Sequence, residues 1–173
     1  MIETEIKLRI DDVPAARARL LALGAEIVRE RVREDDTLYD FADGRLKDNR
    51  HVLRVRRTGR KAFVTFKGSP RKSRSFKVRE EFESEVKSAR DFARILAALG
   101  LRERGGYAKH RTVLRRGKVK VCLDETAAGA FLELEGKRSD IVRLARALGF
   151  ARKDFITLGY PQLLSEAARP ADV

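Results

Sequence analysis

The chain has 173 residues, which suits one domain with a buried core, and its 43% hydrophobic and 38% charged residues exclude a disordered chain and a membrane protein by composition. Its 39 Lys and Arg residues outnumber 26 Asp and Glu residues, and the net charge of +13 favours an anionic partner: nucleic acid, an anionic membrane or a phosphorylated small molecule. No apolar run reaches the roughly 18 residues needed to span a bilayer, and Glu3 and Glu5 stand where a signal peptide would be apolar. The single Cys122 excludes an internal disulfide framework, so we expect a cytoplasmic protein.

Capping residues and apolar stripes predict four helices along the chain. Asp11-Asp12 can cap the first, Ser88 the second and Ser139 the third, and each of them ends at a glycine. The tail, residues 153–168, predicts a fourth helix that is interrupted near Gly159.

Between these helices, apolar and charged residues alternate with a period of two, which predicts about eight β-strands. The first strand shows the pattern, because Ile6 and Leu8 lie on one face whereas Glu5 and Lys7 lie on the other. The alternation recurs in a longer strand near 26–41, at 52–58, 62–67 and 76–86, and around 109–111, 118–124 and 132–135.

The turns between these strands indicate how they are connected. Gly59-Arg60 and Gly117 predict hairpins, so several neighbouring strands should be antiparallel. Residues 68–75 form a basic loop without periodicity, and no change in composition marks a linker. We therefore predict a single domain over residues 1–173.

The polar faces of the predicted strands are almost entirely ionic. Their basic members are Arg54, Arg56, Lys67, Arg79, Lys109 and Arg111, and their acidic members are Glu3, Glu5, Glu81, Glu83, Asp124, Glu133 and Glu135. For any single strand, an ordinary sheet with its charged face in water is the alternative. Taken together, the strands favour an α+β fold in which a closed eight-stranded antiparallel β-barrel gathers the charged faces inside and helices pack on the outside.

An interior with so many charges is costly unless the charges pair or bind ions. Several carboxylates together can chelate one or two hard cations such as Mg²⁺, which also accepts phosphate oxygens as ligands. Guanidinium groups match the geometry of phosphate. The charged faces thus describe a metal and polyphosphate site better than a site for metal alone or a DNA groove.

In chain order these residues resemble the motifs of the CYTH superfamily, the triphosphate tunnel metalloenzymes. The segments that carry the resemblance are Glu3-Thr4-Glu5-Ile6-Lys7, Leu53-Arg54-Val55-Arg56, Thr65-Phe66-Lys67-Gly68, Arg79-Glu80-Glu81-Phe82-Glu83, Lys109-His110-Arg111, Leu123-Asp124-Glu125 and Gly129-Ala130-Phe131-Leu132-Glu133-Leu134-Glu135. The likeness covers roughly residues 1–165. This chain has Gly159-Tyr160 where the family often has Ser-Tyr, and residues 36–40 match the family's second strand only loosely and receive no predicted role.

The resemblance implies an eight-stranded tunnel that processes a triphosphate with Mg²⁺ or Mn²⁺. It implies metal ligands at Glu3, Glu5, Glu133 and Glu135, supported by Asp124 and by Glu81 or Glu83. It implies phosphate contacts from Lys7, Arg54, Arg56, Lys67, Arg79, Lys109 and Arg111. The substrate would be a small molecule such as tripolyphosphate, ATP or thiamine triphosphate. Glu5 and Glu81 are the candidates for activating the nucleophile.

Three functions follow from this pattern. The first is metal-dependent hydrolysis of inorganic triphosphate or of a short organic triphosphate. The second is a class IV adenylyl cyclase that makes cyclic AMP and pyrophosphate; the absence of Trp and the scarcity of candidate base-binding residues favour hydrolysis over it. The third is a non-catalytic binder of polyphosphate or nucleic acid, which clustered carboxylates and the lack of interleaved aromatic residues disfavour. No membrane partner is expected, and a homodimer is left open.

Two residue types need a separate interpretation. Cys122 lies on the same face of its strand as the charged residues. We interpret it as a small residue that fills space in the barrel wall and not as a nucleophile. His51 and His110 are interpreted as surface or strand residues and not as metal ligands, because hard cations prefer oxygen ligands.

Overall fold

The structure, a computed structural model, describes residues 2–168; Met1 and residues 169–173, the ends of the predicted domain, lie outside the described residues. Eight strands form a closed barrel in the order β1-β5-β4-β3-β2-β6-β7-β8. The strands are β1 (Ile2–Ile10), β2 (Glu26–Phe41), β3 (Val52–Thr58), β4 (Lys61–Lys67), β5 (Lys77–Val86), β6 (Leu101–Arg116), β7 (Val119–Thr126) and β8 (Gly129–Glu135). The predicted α+β fold with a closed eight-stranded antiparallel barrel is confirmed.

The helices are α1 (Val13–Ala22), α2 (Arg45–Asp48), α3 (Ala89–Ala98), α4 (Arg138–Ala147) and α5 (Tyr160–Ala167), with a 3₁₀ helix at Arg152–Asp154. The caps predicted for α1 and α3 are confirmed, because the side chains of Asp12 and Ser88 accept backbone N–H bonds from the first turns of these helices. No helix among residues 2–168 is long and apolar enough to cross a membrane.

The predicted N-cap at Ser139 is wrong. The helix begins at Arg138 with Lys137 as its N-cap residue, whose side chain forms no capping hydrogen bond. The chain leaves β8 at Gly136, which donates its backbone N–H to the Thr4 carbonyl, and the helix begins two residues later, so Ser139 already lies within its first turn.

Two-residue turns connect the predicted hairpins. Thr58 pairs with Lys61 across Gly59-Arg60, and the turn between β6 and β7 is centred on Gly117. Both glycines have positive φ, 56° and 57°, a conformation that tight hairpin turns require and that costs glycine no steric strain.

The residues group into two compact units. The first unit consists mainly of Arg33–Arg71 and Arg79–Ala108, and its apolar core is built around Val55, Leu96 and Leu101 with α3 packed against it. The second unit consists of Glu3–Val32, Lys72–Val78 and the chain from Lys109 onward. Its larger core joins the apolar faces of β1, β7 and β8 to α1 and α4.

The first strand is covered on both faces. Its apolar residues Ile6 and Leu8 are 0% exposed in the core, yet its charged residues Glu5 and Lys7 are only 3% and 2% exposed. Alternation along the strand therefore separates an apolar face, which packs under helices, from a charged face, which is also buried. This is the arrangement that the sequence predicts.

Candidate functional site

In the second unit, three carboxylates converge at one end of paired strands. Glu5 lies directly opposite Glu135 in the register of β1 and β8, and Glu3 precedes Glu5 on the same face. One carboxylate oxygen from each of the three lies within 4.8 Å of the others. This spacing suits a hard cation, which takes carboxylate oxygens as ligands. We call Glu3, Glu5 and Glu135 the carboxylate cluster.

The electrostatics of the carboxylate cluster fit a bound cation. Burial raises the pKa of Glu135, and the carboxylates of Glu133 and Glu3 raise it further, although Lys120 opposes the shift. The ammonium of Lys120 lies 2.9 Å from Glu135, and that of Lys77 lies 3.1 Å from Glu5. Burial and the neighbouring carboxylates therefore outweigh Lys120 at Glu135, and a bound divalent cation would stabilise the ionised form of its carboxylate.

Next to this cluster, Glu133 lies between two basic side chains. The Lys7 ammonium is 3.0 Å from Glu133 Oε2 and 3.4 Å from Glu5, and Arg111 Nη2 donates to Glu133 Oε1 at 3.0 Å. Burial alone would raise the pKa of Glu133, but the attraction of Lys7 and Arg111 outweighs it and holds that pKa well below its usual value. Glu133 is thus ionised and positions two of the predicted phosphate-binding residues.

Asp124 organises the other side of the same face. Its carboxylate accepts from Arg111 Nε at 2.6 Å, from Arg111 Nη2 at 2.5 Å and from Lys109 Nζ at 3.2 Å, and also from the hydroxyl of Tyr160. The ammonium groups of Lys7 and Lys109 lie 4.9 Å and 4.6 Å from the centre of the Tyr160 ring. Asp124 and Tyr160 together fix the positions of three cationic side chains.

The first unit has a second charged face of its own. Arg56 donates to both carboxylate oxygens of Asp36, at 2.7 and 2.9 Å, and lies 3.0 Å from Glu34. Arg54 lies 3.6 Å from Asp36 and donates to the hydroxyl of Thr65.

On the same face, the remaining predicted residues of the first unit have different environments. The Lys67 ammonium lies 2.5 Å from Glu81, and Glu83 accepts a hydrogen bond from the Thr65 hydroxyl at 2.8 Å. Arg79 is 8% exposed, and its buried Nε has no hydrogen-bond partner among residues 2–168. Arg79 therefore offers an unused donor on the charged face.

The structure separates the predicted site residues into these two sets. Each unit brings its own set together; the second unit holds Glu3, Glu5, Lys7, Lys109, Arg111, Asp124, Glu133 and Glu135, and the first holds Arg54, Arg56, Lys67, Arg79, Glu81 and Glu83. All of them lie on the charged face of their strands. Their roles as ligands remain predictions.

Sequence reasoning assigned no role to Glu34, Asp36 and Tyr160. Glu34 and Asp36 are 1% and 2% exposed. They lie two residues apart on β2 and so share a face, and this alternation is the sequence signal that could have identified them. The backbones of Asp36 and Gly106 approach each other closely, because a Cβ at Gly106 would collide with the Asp36 carbonyl oxygen. The motif comparison marked Gly159-Tyr160, but it did not predict the contact of Tyr160 with Asp124, which joins distant parts of the chain.

Cys122 lies on the charged face, as its parity predicts. It is fully buried and pairs with Glu133 in the register of β7 and β8. Burial raises the pKa of its thiol to about 12, although Arg111 and Lys120 act in the opposite direction. The residue therefore stays a neutral filler of the barrel wall at ordinary pH.

Solved structures share this fold. A Vibrio parahaemolyticus protein, provisionally named an adenylate cyclase, superposes with a TM-score of 0.85 at 20% identity, over 95% of this chain and 98% of its own. A Hippeastrum protein, provisionally named an adenylyl cyclase and described as having a dominant triphosphatase activity, superposes with a TM-score of 0.69 at 20% identity, over 97% of this chain and 98% of its own.

The sequence itself is similar to a known protein and to a known family. A Methanocaldococcus jannaschii protein, provisionally named an adenylate cyclase, is 29% identical over 174 residues, which cover 94% of this chain and 98% of the relative. Residues 1–161 match the CYTH domain family. The match spans the charged strands β1 to β8 and reaches the start of α5. The chain therefore belongs to the CYTH family.

Proposed function

We propose that this protein is a metal-dependent triphosphatase that hydrolyses inorganic triphosphate or a short organic triphosphate within a single CYTH domain. The observation that carries the proposal is the carboxylate cluster, whose three oxygens converge within 4.8 Å beside the buried cation Lys7. Such a combination of cation ligands and phosphate donors on one buried face suits a metal–polyphosphate complex.

In this proposal Glu3, Glu5 and Glu135 hold the metal ion. A bound Mg²⁺ or Mn²⁺ would neutralise charge on the phosphate oxygens and help to orient the reacting groups. Glu133 and Asp124, which the family resemblance adds to the ligand set, each contact basic side chains. We assign them chiefly the positioning of Lys7, Lys109 and Arg111, and Glu83 a supporting role at Arg54.

The basic residues bind the substrate. Lys7, Lys109 and Arg111 are each at most 5% exposed, so their interactions with phosphate would be strengthened by the low local dielectric. In the first unit we assign phosphate binding to Arg54, Arg56, Lys67 and Arg79. The unused Nε donor of Arg79 supports its assignment in particular.

The chemical step is attack of water on a phosphorus atom, with cleavage of the bond from that phosphorus to a bridging oxygen. Water supplies the oxygen of the new phosphate and releases its proton to a base. Glu5 and Glu81 remain the candidates for that base, because both are carboxylates on the charged faces next to lysines.

The second candidate is adenylyl cyclase activity, which the name of the Methanocaldococcus jannaschii relative favours. In that reaction the 3′-hydroxyl of ATP takes the place of water, and pyrophosphate leaves. The Hippeastrum protein supports the hydrolase instead, because its activity is described as dominantly that of a triphosphatase despite its cyclase name. We therefore rank hydrolysis first.

The test is turnover by purified protein supplied with tripolyphosphate or ATP and either Mg²⁺ or Mn²⁺, with products resolved by ³¹P NMR and by chromatography. Orthophosphate identifies the hydrolase, whereas cyclic AMP with pyrophosphate identifies the cyclase. The double variant Glu3→Gln/Glu5→Gln should lose at least about 100-fold in turnover, because the metal loses two carboxylate ligands.

The matched control is Glu80→Gln, which removes an exposed carboxylate from β5 on the face opposite Arg79 and Glu81. It should keep wild-type activity. Undiminished turnover in the Glu3→Gln/Glu5→Gln protein would show that the metal assignment is wrong.

A further inference from the structure

A pocket of about 390 Å³ lies in the second unit, between the segment that leads into β5, the start of α4 and the 3₁₀ helix. Its polar lining consists of three arginines and three serines: Arg74, Arg138, Arg152, Ser73, Ser75 and Ser139. A volume of this size is within the range of small-molecule sites. The pocket contains no carboxylate among its lining residues within the described part of the chain.

The pocket is distinct from the charged face described above. Phe76, one of its apolar lining residues, packs in the core of the second unit against Phe155. The next residue, Lys77, extends instead to Glu5 in the carboxylate cluster. Adjacent residues of an extended chain point to opposite sides, so the pocket and the carboxylate cluster lie on opposite sides of the barrel wall.

No carboxylate in the described part of the chain neutralises the positive charge of the pocket. Among residues 2–168, none of Arg74, Arg138 and Arg152 forms an ion pair with a carboxylate, and the Arg138 guanidinium lies over the Phe76 ring at 5.4 Å. Asp140, the acidic residue of the first turn of α4, pairs with Arg143. Three guanidinium groups that line one concave surface create a positive potential that attracts anions.

The start of α4 adds donors to the same pocket. The helix has ten residues, its N-cap residue Lys137 forms no capping hydrogen bond through its side chain, and Arg138 and Ser139 of its first turn line the pocket. Backbone N–H groups in the first turn of a helix have no partner within the helix, and the helix dipole favours an anion there. The arginines, the serine hydroxyls and these N–H groups supply the donor set typical of phosphate sites.

We propose that this pocket binds the phosphate group of a small molecule, at a site separate from the proposed catalytic site. The bound species is either a free inorganic phosphate or pyrophosphate, or the phosphoryl group of an organic phosphate such as a nucleoside monophosphate. A nucleic-acid backbone fits less well, because the arginines surround one concave volume and do not form an extended track. The proposal does not depend on which reaction the protein catalyses.

The test is an NMR titration of ¹⁵N-labelled protein in EDTA with orthophosphate, pyrophosphate or AMP, at constant ionic strength set with chloride. Saturable shifts of the backbone amides of Ser75, Phe76 and Ser139 are expected with at least one of these anions. The double variant Arg138→Ala/Arg152→Ala should bind that anion at least about 10-fold more weakly, because two charge-assisted donors are lost. Its thermal melting should remain that of the wild type, since both side chains are exposed.

The matched control is Arg146→Ala, which removes an exposed arginine from the last turn of the same helix, outside the pocket. It should leave the affinity unchanged. The proposal is overturned if the anions shift only amides of the charged strand faces, if the double variant and Arg146→Ala weaken binding equally, or if only RNA or anionic lipid vesicles shift the pocket amides.

Discussion

Glu5 and Glu135 lie directly opposite each other across β1 and β8, on a face from which water is largely excluded. Like charges at directly opposed positions destabilise a sheet. Lys77 and Lys120 offset part of this repulsion by pairing with Glu5 and Glu135 respectively. The arrangement is expected where a cation is to be bound, because ligand carboxylates must approach one another before the ion arrives.

Divalent cations should therefore stabilise the fold. A cation at about 10 times its Kd adds about 1.4 kcal/mol to the free energy of unfolding, which raises Tm by about 3–5 °C in a chain of this size. We expect this increase for wild-type protein with Mg²⁺ or Mn²⁺ in differential scanning calorimetry, and its loss in Glu3→Gln/Glu135→Gln. Glu80→Gln should retain it. An equal increase in the Glu3→Gln/Glu135→Gln protein would place the cation elsewhere.

Substitution by Met should lower the free energy of unfolding much more at Arg56 than at Arg79. Arg56→Met removes the partner of two buried carboxylates, Asp36 and Glu34, and should cost about 3–5 kcal/mol of the free energy of unfolding. Arg79→Met removes a buried guanidinium whose Nε makes no hydrogen bond within the described range 2–168, so its cost should stay below about 1 kcal/mol.

Substrate binding should distinguish the Arg79 variant from the wild type. We expect Arg79→Met to lower kcat/KM at least about 10-fold, because one guanidinium contact to phosphate is lost. Urea denaturation and steady-state kinetics measure the two effects separately. If Arg79→Met were as destabilising as Arg56→Met, Arg79 would have a structural role in place of substrate binding.

Asp40 should make the free energy of unfolding depend on pH in the acidic range. Its carboxylate accepts backbone N–H bonds from Phe41, Leu46 and Lys47, at 2.7, 2.9 and 3.0 Å. Burial acts to raise the pKa of Asp40, but these three hydrogen bonds outweigh it and hold that pKa below the ordinary value of 3.8. A carboxyl group with a lowered pKa in the folded state stabilises the fold above its unfolded pKa and loses that effect as the pH falls through the folded value.

Asp40→Asn should accordingly reduce the free energy of unfolding by about 1–2 kcal/mol at pH 7. The difference between variant and wild type should shrink progressively below about pH 4, when measured by urea denaturation at a series of pH values. Asp48→Asn, at an exposed position of α2, is the control and should show neither effect. A difference that stays constant down to pH 2 would contradict the role of the ionised carboxylate.

Cys122 should be chemically inert in the folded protein. With a thiol pKa of about 12 and no exposure to solvent, only about 1 in 10⁴ molecules would carry a thiolate at pH 8. A disulfide reagent such as DTNB should therefore label it only at the rate of unfolding, and immediately in denaturant. Rapid labelling of native protein would favour the nucleophile interpretation that the parity of the strand left open.

Much of the fold was predictable because alternation is a local property. Residues two apart on a strand share a face whatever the strand pairs with, so the charged face of β1 and the position of Cys122 followed from parity alone. The positions at which helices begin were less predictable from the sequence. The caps at Asp12 and Ser88 are confirmed, whereas α4 begins after Lys137, a residue that is not a typical N-cap, and directly follows the pairing of Gly136 with Thr4 on another strand.

By itself, the sequence determined which side chains would be charged and which face of each strand would carry them. The tertiary structure decided which of those charges meet: Glu5 with Glu135, Asp36 with Arg56, and Tyr160 with Asp124. The physical reason is that side-chain direction is set by each residue's own backbone, whereas register is set by hairpin turns and by closure of the barrel, which bring together residues far apart in the chain.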